Sequence, residues 1–210
     1  KYSLDGTTWT DTVPKGTDAG TYNVQYKIVG DATHADSPAQ PLSVTIGPKE
    51  VTVSGITAAN KKYDGKNTAT VDASGANFTG KVDGDTLNIS VTSATFEDAN
   101  VGENKTVTLT LGTLGGTSAG NYKLATAGNQ TEAKANITPA TLTITGATIG
   151  AKTYDGSKNA DVTGVTFSGL QNGETLCMTT DYTVTGVFNS ENVNDANKVT
   201  VSVTLKDTPK

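Results

Sequence analysis

Two long stretches of this chain are versions of one another, and that internal repetition restricts its fold more than any local feature does. Val51-Thr52-Val53-Ser54-Gly55 recurs as Leu142-Thr143-Ile144-Thr145-Gly146. At the same shift Lys61 to Gly65 recurs as Lys152 to Gly156, with Tyr63-Asp64-Gly65 against Tyr154-Asp155-Gly156 at the centre. Further on, Phe78-Thr79-Gly80 and Gly84-Asp85-Thr86-Leu87 match Phe167-Ser168-Gly169 and Gly173-Glu174-Thr175-Leu176 after the loss of two residues. Phe96, Asn100 and Val101 then match Phe188, Asn192 and Val193, and the run Val107 to Leu111 matches the run Val199 to Leu205. Small changes of register between strong matches are what variable loop length produces.

A third set of matches places the rest of the chain. Ala19-Gly20-Thr21-Tyr22 is similar to Ala119-Gly120-Asn121-Tyr122, and Ile46-Gly47-Pro48 to Ile137-Thr138-Pro139. The sequence therefore divides into residues 1–47, the later part of a related module; 48–138, a complete repeat; and 139–210, a second repeat that stops before its terminal strand. Pro48 and Pro139 follow an apolar run at equivalent places, and proline cannot donate to a sheet ladder, so each marks a passage from one module to the next. With no Gly/Ser-rich tether at either point, the expected arrangement is an extended row of modules. The missing strands at the two ends could complement one another head to tail between chains.

Each module reads as β structure. Val107-Thr108-Leu109-Thr110-Leu111 and the run Val199 to Leu205 alternate with period two, which buries one face of a strand and suits an antiparallel sandwich. Further strands are expected at Tyr22 to Ile28, Leu42 to Ile46, Leu87 to Val91 and Tyr182 to Val184. Asp5-Gly6, between Tyr2 and Trp9, predicts a hairpin, and Asp64-Gly65 and Asp155-Gly156 predict tight turns. No segment has a helical period. Only 34% of residues are hydrophobic and 6% aromatic, against 23 glycines, which favours several small β cores over one large one.

The two Tyr-Asp-Gly segments, the Gly84-Asp85-Thr86-Leu87 element, Phe96 with Asn100-Val101-Gly102, the Ala119-Gly120-Asn121-Tyr122 strand and the closing Ile137-Thr138-Pro139-Ala140 resemble the YDG modules repeated in bacterial surface adhesins. Residues 1–47, with Tyr2 to Trp9 and Gly30-Asp31-Ala32-Thr33-His34, resemble the related mostly bacterial Ig-like (MBG) modules. The resemblance implies an all-β chain of tandem Ig-like antiparallel β-sandwich modules in an extended rod, part of a large exported protein. It carries over no catalytic residue.

Composition narrows the partners. The net charge is −5 and the chain has no arginine, and its lysines form no basic stripe, so neither nucleic acid nor an anionic membrane is an expected partner. No apolar run is long enough to cross a bilayer. The single cysteine, Cys177, is expected to be a small buried apolar residue. No cofactor and no metal site is expected: Glu97-Asp98-Ala99-Asn100, Asp83-Gly84-Asp85 and the polar loop Asn189 to Asp195 lack the spacing of a calcium loop and read as solvated turns. His34, near Asp31 and Asp36, reads as an exposed loop imidazole. An isopeptide cross-link from Lys61 or Lys152 to an asparagine is a minor alternative, because no acidic partner to promote it is evident.

The expected function is a non-catalytic structural stalk or spacer of a bacterial cell-surface or secreted adhesin-like protein, extracellular, whose main partners are neighbouring modules of the same polypeptide. The competing expectation is an adhesin module that binds a host or matrix glycan or protein through Trp9, Tyr22 or Tyr26. For Trp9 the plainer role is an apolar cover over the hairpin beside Tyr2 and Leu4.

Overall fold

The computed structural model describes residues 1–206. It is all-β: no α-helix occurs among the described residues, and the one helical element is a single 3₁₀ turn at Ala119–Asn121. The leading module contributes β1 (Tyr2–Ser3), β2 (Gly20–Tyr26) and β3 (Gln40–Ile46), an antiparallel sheet in that order. The first repeat contributes β4 (Lys49–Ser54), β5 (Thr57–Ala58), β6 (Lys61–Lys62), β7 (Val71–Asp72), β8 (Asn77–Thr79), β9 (Asn88–Phe96), β10 (Gly102–Gly115), β11 (Tyr122–Leu124) and β12 (Glu132–Thr138). The second repeat follows with β13 (Thr143–Ile149), β14 (Asn159–Ala160), β15 (Val162–Ser168), β16 (Tyr182–Phe188) and β17 (Val199–Leu205).

The chain forms two compact units, residues 1–59, 69–95 and 106–134 in one, residues 60–68, 96–105 and 135–206 in the other among those described. The first unit holds the sheets β1-β2-β3, β11-β4-β8 and β5-β7. Its core is Val51, Val53, Ile56, Phe78, Ile89, Val107, Leu109 and Tyr122, all buried. The second unit holds β13-β15 and β14-β16-β17, with Phe96, Ala135, Ile137, Val162 and Tyr182 buried. The order β6-β12-β10-β9 supplies strand segments to each.

Alternation explains which side chains go inward. On β4 it selects Val51 and Val53, on β12 Ala133, Ala135 and Ile137, and on β10 Val107 and Leu109 together with Lys105. A valine moved from water to such a core contributes about 1.5–3 kcal/mol, so these short strands are held by their inward faces.

Among the described residues, two pairings between strands are parallel, apart from a single parallel bridge between Met178 and Tyr182. β4 runs parallel to β11, with Lys49 opposite Tyr122, and β6 runs parallel to β12, with Lys61 opposite Ile137. The start of the repeat thus lies beside its end. Backbone bonds extend the contact, from Ala125 N–H to the Val51 carbonyl (2.9 Å), from Gln130 N–H to the Val53 carbonyl (2.8 Å) and from Tyr63 N–H to the Thr138 carbonyl (2.8 Å).

The strand signals were mostly sound, with shifted ends. The strand expected to reach Ile28 stops at Tyr26, because the Ile28 amide bonds the Ser37 hydroxyl and its side chain is exposed. The Asp5-Gly6 hairpin is present: Gly6 has φ +73°, its amide bonds the buried Ser3 hydroxyl, and Tyr2 and Thr10 exchange backbone bonds. Val53 is buried whereas Ile144, its counterpart in the second repeat, is 44% exposed. The cover that β11 and the segment after it give Val51 and Val53 has no counterpart among the described residues of the second repeat.

Candidate functional site

The most distinctive local structure is the Tyr-Asp-Gly turn, built twice in the same way around a lysine ammonium. Lys61 Nζ donates to Asp64 Oδ1 (2.7 Å) and to the carbonyls of Lys66 (2.7 Å) and Thr68 (3.1 Å). Lys152 Nζ donates to Asp155 Oδ1 (2.8 Å), to the carbonyls of Ser157 (2.9 Å) and Asn159 (2.8 Å), and to the Ser157 hydroxyl. In each turn the aspartate also accepts the amide two residues on, Lys66 or Ser157, and the glycine between them takes the left-handed φ of +71° or +73°. Glycine is required there because a Cβ would strain that backbone. None of the ammonium's bonded partners is an asparagine side chain, so the geometry does not set up the isopeptide cross-link considered from the sequence.

These contacts hold both carboxyls below the ordinary range. The lysine hydrogen bond is the main cause in each case, helped by the turn amide, and Asp155 falls to about 2. A carboxyl depressed in the fold adds stability above its ordinary value near 4, and that share is lost as pH falls toward 2. The expected result is that acidification from pH 5 to pH 2 releases the Lys66 and Ser157 amides, seen as a fall in their protection, the exchange rate relative to the intrinsic rate of a free amide at the same pH, while Val107 stays protected. Equal protection at both pH values would contradict it.

Under the first turn lies Phe96, buried, with the Lys61 ammonium 5.7 Å from its ring centre and its amide bonded to the Asn67 carbonyl (2.7 Å). The second repeat preserves the backbone bond, from the Phe188 amide to the Lys158 carbonyl (2.7 Å). What differs is a buried cation. Lys105 points inward from β10 and is only 7% exposed; its ammonium donates to Asp98 (2.8 Å), with Glu97 at 3.7 Å. This bond is the main reason that the pKa of Asp98 lies below, and that of Lys105 above, its ordinary value. The matching positions in the second repeat are Ser190 and Asn197, and a hollow of about 170 Å³ bordered by Lys152, Tyr154, Phe188, Glu191 and Val193 opens there.

The tyrosine of the first turn has a further partner. Its hydroxyl donates to Glu174 Oε1, and that bond is the main reason its pKa is pushed above the ordinary tyrosine value. Alongside, Asn172 Nδ2 donates to the Gly65 carbonyl (3.1 Å), and a Cβ on Gly65 would lie 2.9 Å from that of Asn172. Glu174 belongs to the Gly173-Glu174-Thr175-Leu176 element of the following repeat, so the turn of one repeat receives the acidic loop of the next. A cleft of about 430 Å³ flanks the contact, lined by Val101, Pro139, Leu142, Leu170 and Leu176 among others.

The leading module is tied on differently. Asn121, in the 3₁₀ turn, accepts the Ala19 amide (2.6 Å) and donates to Asp18 Oδ1 (2.9 Å). Next to it, Tyr122 donates its hydroxyl to Asp85 and accepts the Val82 amide (3.0 Å). Asp85, expected in a solvated turn, is therefore a partner of Tyr122, and the Glu97-Asp98 loop grips Lys105. Sequence reasoning missed both Lys105 and Glu174. The acid shared by the Gly84 and Gly173 elements was a usable signal for the second.

The aromatic candidates do not meet in one platform. Trp9 is half-buried with the Lys27 ammonium 4.8 Å from its ring centre, and Lys27 is in turn paired with Asp36 (2.8 Å). Tyr22 is half-buried and donates to the Asp18 carbonyl (2.8 Å), while Tyr26 is exposed. His34 sits in an exposed loop with Nδ1 2.9 Å from Asp31. Cys177 corrects the expectation of burial: it is exposed, because its backbone is turned by bonds with Asp181 and its side chain faces outward. Among the described residues no cluster of three metal-ligating side chains occurs, and no helix is long and apolar enough to cross a membrane.

A family model described as the YDG domain matches residues 47–131 and again residues 138–209. No curated protein and no solved structure matches the chain.

Proposed function

The chain belongs to the YDG domain family, and from that premise we propose that it is a non-catalytic stalk or spacer region of a bacterial cell-surface or secreted adhesin-like protein, working outside the cell. In this reading tandem Ig-like β-sandwich modules, an MBG-type module followed by two YDG repeats, stand in an extended row and hold a distal domain away from its anchor. The observation that carries the reading is the join between repeats. Across the short passage at Pro139, side chains of one repeat are pinned to the next by Tyr63 to Glu174 and Asn172 to Gly65. A join made by specific hydrogen bonds, with no flexible tether, is what a spacer that must keep its reach requires.

Small-angle scattering tests this. A compact globule of 210 residues has a radius of gyration of about 17 Å. The expected value for a row of modules is clearly larger, with a distance distribution skewed to long vectors. A value near that of the globule would remove the stalk reading.

One observation favours the alternative, a module that binds a glycan or protein. Tyr22 pairs with Val44 and Val24 with Leu42, and directly opposed residues share a face, so Tyr22, Tyr26, Leu42 and Val44 form one apolar sheet face with the last three exposed. Binding to a glycan or matrix protein that is lost on Tyr26→Ser, with the fold intact, is the result that would promote it.

A further inference from the structure

The two Tyr-Asp-Gly turns have the same internal bonds but unlike surroundings. Tyr63, Asp64 and Gly65 are all partly covered, whereas Tyr154, Asp155 and Gly156 are all exposed, Tyr154 at 63%. Space beside the glycines differs in the same sense: a Cβ at Gly65 would meet Asn172, and one at Gly156 would meet nothing within 4 Å. Val193, the counterpart of the cleft-lining Val101, is 73% exposed against 48%. An aromatic ring whose hydroxyl has no hydrogen-bond partner among the described residues, an open glycine backbone and a bare valine therefore make up the same surface that, one repeat earlier, receives an acidic loop.

We propose that the turn at Tyr154, Asp155 and Gly156, together with Val193, is a docking face for the Gly-(Asp/Glu)-Thr-Leu loop of a further YDG repeat. The tyrosine hydroxyl donates to the loop's carboxylate, and the polar residue two places before that carboxylate bonds the Gly156 carbonyl. This rests on the reading of the chain as a row of repeats and names what joins them. Both partners of the contact are written into the repeat itself. The turn recurs as Tyr63 and Tyr154, and the loop recurs as Asp85 and Glu174. In this chain both loops are engaged, Glu174 by Tyr63 and Asp85 by Tyr122, so the occupant is a repeat with a free loop and not a second copy of the chain as it stands.

Tyrosine nitration read by peptide mass spectrometry tests the inference. In the chain as it exists, Tyr154 is expected to react faster than Tyr63. Because Val199 corresponds to Val107 and so Lys206 to Leu114, a longer chain is made by appending after Lys206 residues 115–138, the segment that follows this strand in the first repeat, and then a second copy of residues 139–206. There Tyr154 is expected to slow by about tenfold, the scale of one hydrogen bond to a charged group, and to recover when Glu174 of the appended copy alone is changed to alanine. Unchanged Tyr154 reactivity beside a folded appended repeat overturns the proposal. Should the longer chain not fold, Glu174→Ala in the original chain decides: it must raise Tyr63 nitration by a similar factor and leave Tyr154 alone, and a Tyr63 that stays protected overturns the proposal too. Scattering reports the row independently, so an elongated chain with an unprotected Tyr154 removes the docking face and keeps the stalk.

Discussion

Phe96→Ala is expected to destabilise the chain by about 3–5 kcal/mol, the cost of deleting a fully buried aromatic ring and leaving its cavity. The ring is 2% exposed, at the end of β9, where it fills the base of the first Tyr-Asp-Gly turn beneath Lys61. Phe188→Ala provides the internal comparison. Its backbone bond is the same, but the ring is only half-buried, so the loss should be about half as large. Guanidinium unfolding followed by circular dichroism measures both. Equal costs would mean that the second repeat packs as tightly as the first, against the burial described above.

Lys61→Met is expected to cost about 1.5–3 kcal/mol, the range for hydrogen bonds to a charged group. The methionine keeps most of the stem's packing and removes only the ammonium, which leaves the Lys66 and Thr68 carbonyls and the Asp64 carboxylate without their common donor. Lys152→Met should cost a similar amount, since its ammonium has an equivalent set of acceptors. Lys61→Arg should not rescue, because a planar guanidinium cannot converge on three acceptors placed around a point. A silent Lys61→Met in thermal or guanidinium unfolding would show that the turn closes through Asp64 and Gly65 alone.

How much of this was legible beforehand follows from the range of the interaction concerned. The period-two runs around Val107 and Val199 declare their strands because the alternation is local and one face must be buried. The Tyr-Asp-Gly turns declare themselves too, since glycine beside aspartate is a backbone requirement readable in two residues. The lysine three places before each aspartate was visible as part of the repeat, yet its task was not, because an ammonium meets the carbonyls of Thr68 and Asn159 only once the turn is closed. Lys105 shows the limit more sharply. It continues the inward alternation of Val107 and Leu109, a position where a charge is costly, and the carboxylates that make it tolerable come from the preceding loop. Cys177 failed for the opposite reason: residue type argued for burial, whereas a loop closed by Asp181 decided its direction.

The parallel placement of β4 against β11 and of β6 against β12 has a mechanical corollary. Tension that enters a repeat at Pro48 and leaves at Pro139 slides β4 lengthwise along β11 and β6 along β12. Their rungs are then strained in shear and must give way together, whereas a hairpin tugged open at its ends unzips one rung at a time. Resistance to forced unfolding is a matter of rate more than of equilibrium stability, so a repeat with a modest core can still be hard to pull apart.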